Sequence, residues 1–302
     1  MSLYTQEIFM SDSEYSTDEP LTKPKLVRQT AQTELDLNRH QANPLKKGLD
    51  PKKPTSSGIV AELEPVQKSK KPRSEAQKIA FENNLSETAF FVRKGKNFHL
   101  RWFTPDIEMD LCGHATLATA HCILSELKLE SEKVIFETLS GELEVSLNNG
   151  LYLIDLPRRD PISASLPDEI KNALNVQPKI VLKARDYLLV YENQKEIEDI
   201  VINREVFDQI NINPGGVIVT ARGENCDFVS RFFTPQATIL EDPVTGSAHC
   251  TLTPYWSNEI LKKRMNAQQI SERKGKLSCE LKKDRVEISG KAITYFEGYI
   301  SL

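Results

Sequence analysis

The sequence predicts a duplicated α+β fold, with two related halves that each wrap a curved sheet round one central apolar helix. Three observations lead there. The phrase Arg101-Trp102-Phe103-Thr104-Pro105 returns as Arg231-Phe232-Phe233-Thr234-Pro235. Each copy is followed by a glycine, small residues and an apolar run at helical spacing, from Gly113 and from Gly246, with three more residues in the second turn than in the first. The intervening stretches alternate apolar and polar residues between Gly and Asn turns, the period of half-buried strands. A divergent repeat of this length is one structural unit used twice.

Residues 1–56 are a polar segment rich in Lys, Pro, Ser and Thr, expected to be partly disordered because it holds too little apolar surface to offset the entropy of ordering. Within it only Leu3–Met10 reads as a strand. Gly58–Leu63 is a second short strand, and Ser74–Asn83 a short amphipathic helix. Ala89–Val92 and Phe98–Phe103 are strands around the turn Gly95-Lys96-Asn97. The first central helix runs from about His114 to Leu127. Lys133–Thr138, Gly141–Leu147 and Leu151–Leu156 form a meander, with Asn148-Asn149-Gly150 as a hairpin turn. Pro167–Leu174 is a short helix opened by Pro and Asp. Lys179–Ala184 and Asp186–Tyr191 are strands, and Val206–Ile210 is a single helical turn. Gly216–Ala221 and Cys226–Phe233 are strands. The second central helix runs from Ser247 toward Lys262, with Pro254 expected to kink or reposition its middle. Cys279–Leu281, Arg285–Ser289 and Ala292–Ile300 close the chain. The expected division is residues 57–128 plus the terminal strand 292–302 as one domain and 129–291 as the other.

Composition narrows the function classes. A net charge of −4 and pI near 5.9 give no basic surface for nucleic acid. No apolar run approaches the ~20 residues of a membrane span. Five cysteines without close pairing fit a reducing, cytoplasmic setting better than a disulfide framework or a metal site. No dinucleotide or phosphate-loop motif occurs, so chemistry without cofactor or metal is expected.

The two glycine-led helix starts carry the chemical expectation. A helix N-terminus exposes N–H groups without intrahelical partners and carries partial positive charge. A glycine there lets an anion approach the backbone. Gly113 and Gly246 are therefore candidate binders of one small anion, with His114 and Ser247 one residue further on. Asp242 stands four residues before Gly246, placed to orient a substrate or to serve a turn. Glu87 sits between a polar loop and the apolar Phe90-Phe91 and is the candidate proton carrier. Taken singly, each has an ordinary reading as a cap, a turn residue or a solvated side chain. A two-thiol racemase based on Cys112 is disfavoured, because the matched position is Thr245, a hydroxyl that needs a base. His121 and His249 read as core residues within apolar helices.

Three segments, Asn84–Phe90, Asp110–Ala118 and Glu241–Ala248, closely resemble the signature segments of the phenazine-biosynthesis PhzF-like family. The resemblance covers about residues 58–302. It implies the diaminopimelate-epimerase-like fold, two β-barrel-like domains each round a central helix, with the active site between them. It implies an isomerase that uses neither metal nor cofactor, with Glu87 as general acid/base. Gly113, His114, Asp242, Gly246 and Ser247 would then hold a small carboxylate. A homodimer is also implied. The chain departs from the family at its start, where Leu3–Met10 and Gly58–Leu63 stand in for the usual first strands across a long polar insertion. Two rivals remain at this point: a non-catalytic interaction protein that keeps the fold and uses its basic N-terminal arm, and a two-base amino-acid epimerase.

Overall fold

The computed structural model describes residues 6–10, 25–30, 74–127, 131–212 and 215–299, with backbone only for 6–10, 25–30 and 295–299. Gly58–Leu63 and most of residues 1–56 lie outside the described residues.

The repeat seen in the sequence is a repeat of topology. In the first copy, Thr88–Lys94 pairs antiparallel with Asn97–Phe103, which pairs antiparallel with Glu108–Met109. The helix Gly113–His121 follows. Lys133–Thr138 then lies parallel to Asn97–Phe103, and Gly141–Asn148 and Leu151–Pro157 complete an antiparallel meander. The second copy repeats each step with Val217–Arg222, Phe228–Phe233, Glu241–Asp242, the helix Gly246–Ile260, Arg264–Gln269, Gly275–Leu281 and Arg285–Gly290. The last strands of the copies, Leu151–Pro157 and Arg285–Gly290, pair antiparallel and join the halves.

The opening strands obey the same pattern. Gln6–Met10 lies parallel to Thr88–Lys94 as Tyr187–Val190 lies parallel to Val217–Arg222. Lys25–Thr30, which the sequence analysis did not identify, bridges Gln6–Met10 and the terminal strand Ile293–Tyr299. The part of residues 1–56 that is described is thus paired strand.

The core round the first central helix corrects the expected division at residue 128. Val134, Phe136, Val145, Ile154 and Leu156 are buried with Ala115, Ala118 and Ile123. Strands 133–157 therefore belong with the first helix, because their alternate apolar residues point at it. A second core gathers Leu252 and Trp256 of the other helix with Ile218, Phe228 and Met265.

Both helices are apolar on nearly every face, as a helix enclosed by strands must be. The first starts at Gly113 with Cys112 as N-cap, one residue before the expected His114, and ends in a π turn over Cys122–Glu126. The second starts at Gly246, so Ser247 lies inside the helix instead of capping it. Pro254 sits within that helix and cannot donate to the Cys250 carbonyl; the Arg159 N–H donates to that carbonyl instead, at 3.0 Å. The helix continues through the proline because a neighbouring strand end satisfies the freed acceptor. All five cysteines are free.

The two helix starts meet. A Cβ added at Gly113 would lie 2.9 Å from the Cα of Gly246, and one added at Gly246 would lie 2.9 Å from the Cα of Gly113. Glycine is required at both positions by this backbone-on-backbone approach. Gly246→Ala is expected to destabilise the fold by about 1–3 kcal/mol, since no flexible side chain can give way. Urea denaturation checks this, and an unchanged midpoint would contradict it.

Candidate active site at the meeting helix tips

The framework of each tip is built from matched residues. Arg101 pairs with Glu108 through Nε and Nη2 at 2.7 and 2.8 Å, and Arg231 pairs with Glu241 in the same way at 2.7 and 2.9 Å. Each guanidinium also lies over the phenylalanine two residues on, 4.9 Å from the Phe103 ring centre and 4.8 Å from that of Phe233. These bidentate pairs fix the short strand that leads into each helix. The N-cap carbonyls are matched too. Cys112 O accepts from the Thr116 hydroxyl at 2.6 Å, and Thr245 O contacts His249 Nδ1 at 2.8 Å. Neither Cys112 nor Thr245 caps its helix with its own side chain. The first N–H groups of both helices are therefore available to a ligand at the point where the tips meet.

Glu87 and His114 come together at this junction. Glu87 Oε2 lies 3.0 Å from His114 Nε2, with both side chains about nine-tenths buried. The contact is an ion pair by distance but lacks hydrogen-bond alignment, and Oε2 makes no hydrogen bond among the described residues. Burial works against the charge on Glu87, but the adjacent imidazolium outweighs it and leaves the carboxyl below its ordinary range. Burial likewise opposes charge on His114, and the negative potential of Cys112 and Glu87 overcomes it, holding the ring protonated well above the usual histidine value. Of those two neighbours Glu87 is the anion at neutral pH. The Cys112 thiol, 3.8 Å from His114 Nδ1, is pushed up to about 12 by burial and by Glu87.

Asp242 approaches from the second half. Its Oδ2 accepts from the Thr245 hydroxyl at 2.5 Å, while Oδ1 is buried without a hydrogen-bond partner among the described residues. Burial and the nearby Glu87 charge push its carboxyl up from 3.8 to about 6. Gln269 holds this loop, accepting from the Thr245 N–H at 2.7 Å and donating to the Asp242 carbonyl at 2.6 Å. A group whose folded pKa is raised penalises the folded state once it ionises, here on the order of 3 kcal/mol above pH 6. Asp242→Asn is therefore expected to be at least as stable as wild type at pH 8, with the difference shrinking as pH falls through 6 and gone below 3.8, where Asp242 is protonated in the folded and the unfolded chain alike. Denaturation at pH 8 and pH 4 measures it; a variant less stable at pH 8 than at pH 4, relative to wild type, would contradict it.

Two cavities flank the junction. One, of about 50 Å³, is apolar and touches Gly113, His114 and Gly246 together with Leu117, Ile154 and Leu277. The other, of about 180 Å³, has a mixed polar and apolar lining that includes Asn84, Ser86, Ile239, Pro243, Ser271 and Arg273. Glu87 and Asp242 line neither cavity, but each adjoins residues that line the larger one. Ser247 is buried and lines neither. The structure thus brings Glu87, His114, Gly113, Gly246 and Asp242 to one junction. It also closes the gap expected between the two glycines, so a guest must sit beside the tips.

Sequence reasoning missed Gln269, Arg185 and Asp106. Gln269 lies on a strand that was not identified. Arg185 Nη2 reaches Asp110 Oδ1 at 2.6 Å, and Asp106 accepts from the Thr238 N–H at 2.8 Å. Both contacts tie one half to the other, and no local pattern reveals a partner so distant in the chain. His249 is fully buried, with burial lowering its pKa to about 4, which fits a neutral core residue.

Two copies of one α+β unit, joined tip to tip, define a duplicated protein with a buried Glu–His contact at its helix junction. Residues 66–298 match the phenazine biosynthesis-like (PhzC-PhzF) protein family, and the chain belongs to that family. It is 45% identical over 227 residues, 75% of this chain and 86% of the relative, to an uncharacterized isomerase of Pseudomonas aeruginosa. It is similar to the crystal structure of a PhzF-family phenazine biosynthesis protein from Enterococcus faecalis, with 39% identity, coverage of 78% of this chain and 90% of that one, and a TM-score of 0.71. A hydroxyproline epimerase from Agrobacterium vitis, solved with trans-4-hydroxy-L-proline, shares the fold at 11% identity over 72% of this chain and 76% of that one, with a TM-score of 0.51. The fold is thus of the diaminopimelate-epimerase-like α+β class. No helix of the described residues is long and apolar enough to cross a membrane.

Proposed function

We propose that the chain is a cofactor-independent isomerase that moves a proton between carbons of a small carboxylate, with Glu87 as the carrier. The observation that carries this reading is the buried Glu87–His114 contact at the junction of two helix starts that lack side-chain caps. An anionic guest gains from N–H groups that no side chain caps and from their partial positive charge. The neighbouring cleft beside Ser86 and Pro243, of about 180 Å³, has room for a small ring; the apolar cavity at the helix starts, of about 50 Å³, is well below the roughly 150 Å³ that admits benzene, so a guest must reach from the cleft to the tips.

In the reaction Glu87, held ionised by His114, takes a proton from an acidified C–H of the guest. The electron pair delocalises into the guest, where N–H groups at the helix starts stabilise the charge that develops. Glu87 then returns the proton to a different carbon, so no electrons leave or enter the system. Asp242 and Ser247 orient the guest. Catalysis by two thiols is opposed by the high pKa of Cys112 and by the engagement of Thr245 with Asp242. The retained acid/base cluster likewise favours catalysis over a purely binding role.

The test is proton exchange in deuterated water. Wild type is incubated with small cyclic and amino-acid-like carboxylates and followed by proton NMR. The expected result is loss of one substrate C–H signal by wild type and not by Glu87→Gln. Equal exchange by both proteins, or none by wild type across the series, would overturn the assignment.

A further inference from the structure

The two halves share a scaffold, so a polar contact made by one half alone is an addition to it. Phe228 pairs with Ala267 as Phe98 pairs with Phe136, and Phe232 with Asp242 as Trp102 with Met109. On that register Gln269 matches Thr138, Ser271 matches Ser140, and Asp242 matches Met109. The two serines act alike. Each hydroxyl donates at 2.7 Å to a carbonyl in the loop before its helix start, that of Pro243 or of Asp110. Thr138 and Gln269 differ. The Thr138 hydroxyl donates to the Gly141 carbonyl within its own turn. The Gln269 carboxamide is fully buried and reaches the helix tip beside Asp242. The half that carries the carboxylate thus also carries the amide that grips its turn.

The bonds of this amide allow one arrangement. Oε1 accepts from the Thr245 N–H at 2.7 Å, while Nε2 donates to the Asp242 carbonyl at 2.6 Å and to the Thr245 hydroxyl oxygen at 3.2 Å. Turning the amide over would set oxygen against a carbonyl and N–H against N–H. With its oxygen accepting from Gln269, the Thr245 hydroxyl directs its own proton to Asp242 Oδ2, at 2.5 Å. Oδ2 is thereby taken, and Oδ1 stays buried without a hydrogen-bond partner among the described residues.

We propose that Gln269 is a positioning residue of the junction: through Thr245 it commits one oxygen of Asp242 to the protein and reserves the other, Oδ1, for a polar group of the guest. Gln269 itself touches neither the guest nor the reacting atoms. Its two backbone bonds hold the turn, and its bond to the hydroxyl strengthens that hydroxyl as a donor. A carboxylate free to turn between partners is thereby held in one orientation, as a binding group must be. The use of Oδ1 by a guest rests on the reading of this junction as the active site; the clamp on Asp242 does not.

Carbon-13 NMR of the aspartate carboxyls reads the clamp in the full chain without any guest. The Asp242 signal is the one missing from Asp242→Asn, and its midpoint in wild type is expected at about 6. Glu87, His114 and Glu241 are the other charged groups that act on it, and the variants leave them in place. Thr245→Val keeps the N–H that Gln269 holds and removes the hydroxyl. The midpoint should then rise by about one pH unit, the usual effect of losing one hydrogen bond to a charged group. Gln269→Met removes the amide at similar length and should also raise the midpoint. The double variant should rise no further than Thr245→Val alone, because both changes act on one bond. Gln269→Asn, whose amide is one methylene short of its partners, takes the place of Gln269→Met should that variant fail to fold. An unchanged midpoint in Thr245→Val or in the Gln269 variant, or a double variant that sums the two shifts, would overturn the proposal. The deuterium-exchange result stands or falls separately, because the titration involves no substrate.

Discussion

Glu87→Gln is expected to slow proton exchange at the substrate carbon about 10²–10⁴-fold, the usual cost of losing a positioned general base. Glutamine matches glutamate in shape, so the buried side chain at this position still fits. What disappears is the one carboxylate that pairs with His114 among the described residues. The ring then loses its counter-charge, and burial alone favours its neutral form. The fold should remain, as near-ultraviolet circular dichroism will show, because both partners become neutral together and no lone buried charge is left. A loss below tenfold with the fold intact would mean that another group moves the proton.

Replacing the other partner has the opposite effect on stability. His114→Ala is expected to cost about 3–5 kcal/mol near neutral pH, because it strands an ionised Glu87 inside the protein. The pH dependence gives the test its sign. In wild type the depressed Glu87 stabilises the fold above its unfolded pKa and loses that contribution as pH falls through the folded value. The raised His114 contributes fully below pH 6.5 and loses its share as pH rises through its own folded pKa. Without the ring, burial dominates and lifts Glu87. The variant is then penalised at high pH and relieved as acid restores the proton. Its deficit against wild type should therefore shrink toward pH 4, measured by urea denaturation across the range. The double variant with Glu87→Gln should recover part of the loss, since the two sites share one interaction. A deficit that grows in acid would contradict the ion pair.

Much of this was legible in the chain because the duplication writes its own register. The repeated Arg-aromatic-Phe-Thr-Pro phrase placed Gly113 opposite Gly246 and located both helix starts within one residue. Alternation located the meander of residues 133–157, but not its owner. Which helix those strands cover depends on sheet pairing, and a linear pattern carries no record of that. Arg264–Gln269 escaped notice because its outward residues are polar and its inward ones, Met265, Ala267 and Gln269, are not a strand-like trio. The sequence cannot show that Arg159 supplies the donor that Pro254 lacks. Glu87, His114 and Asp242 were each ambiguous alone. Only folding brings these three distant segments to one junction, a meeting that the family resemblance implied and local chemistry could not.

The central claim is that one small anion rests beside the joined helix starts with a reacting C–H next to Glu87. A crystal structure with a bound cyclic carboxylate tests it most directly. The account predicts carboxylate oxygens on N–H groups at Gly113–His114 or Gly246–Ser247, and the nearest C–H turned toward the Glu87 carboxylate. A guest held elsewhere, or one whose C–H groups all face away from Glu87, would contradict it.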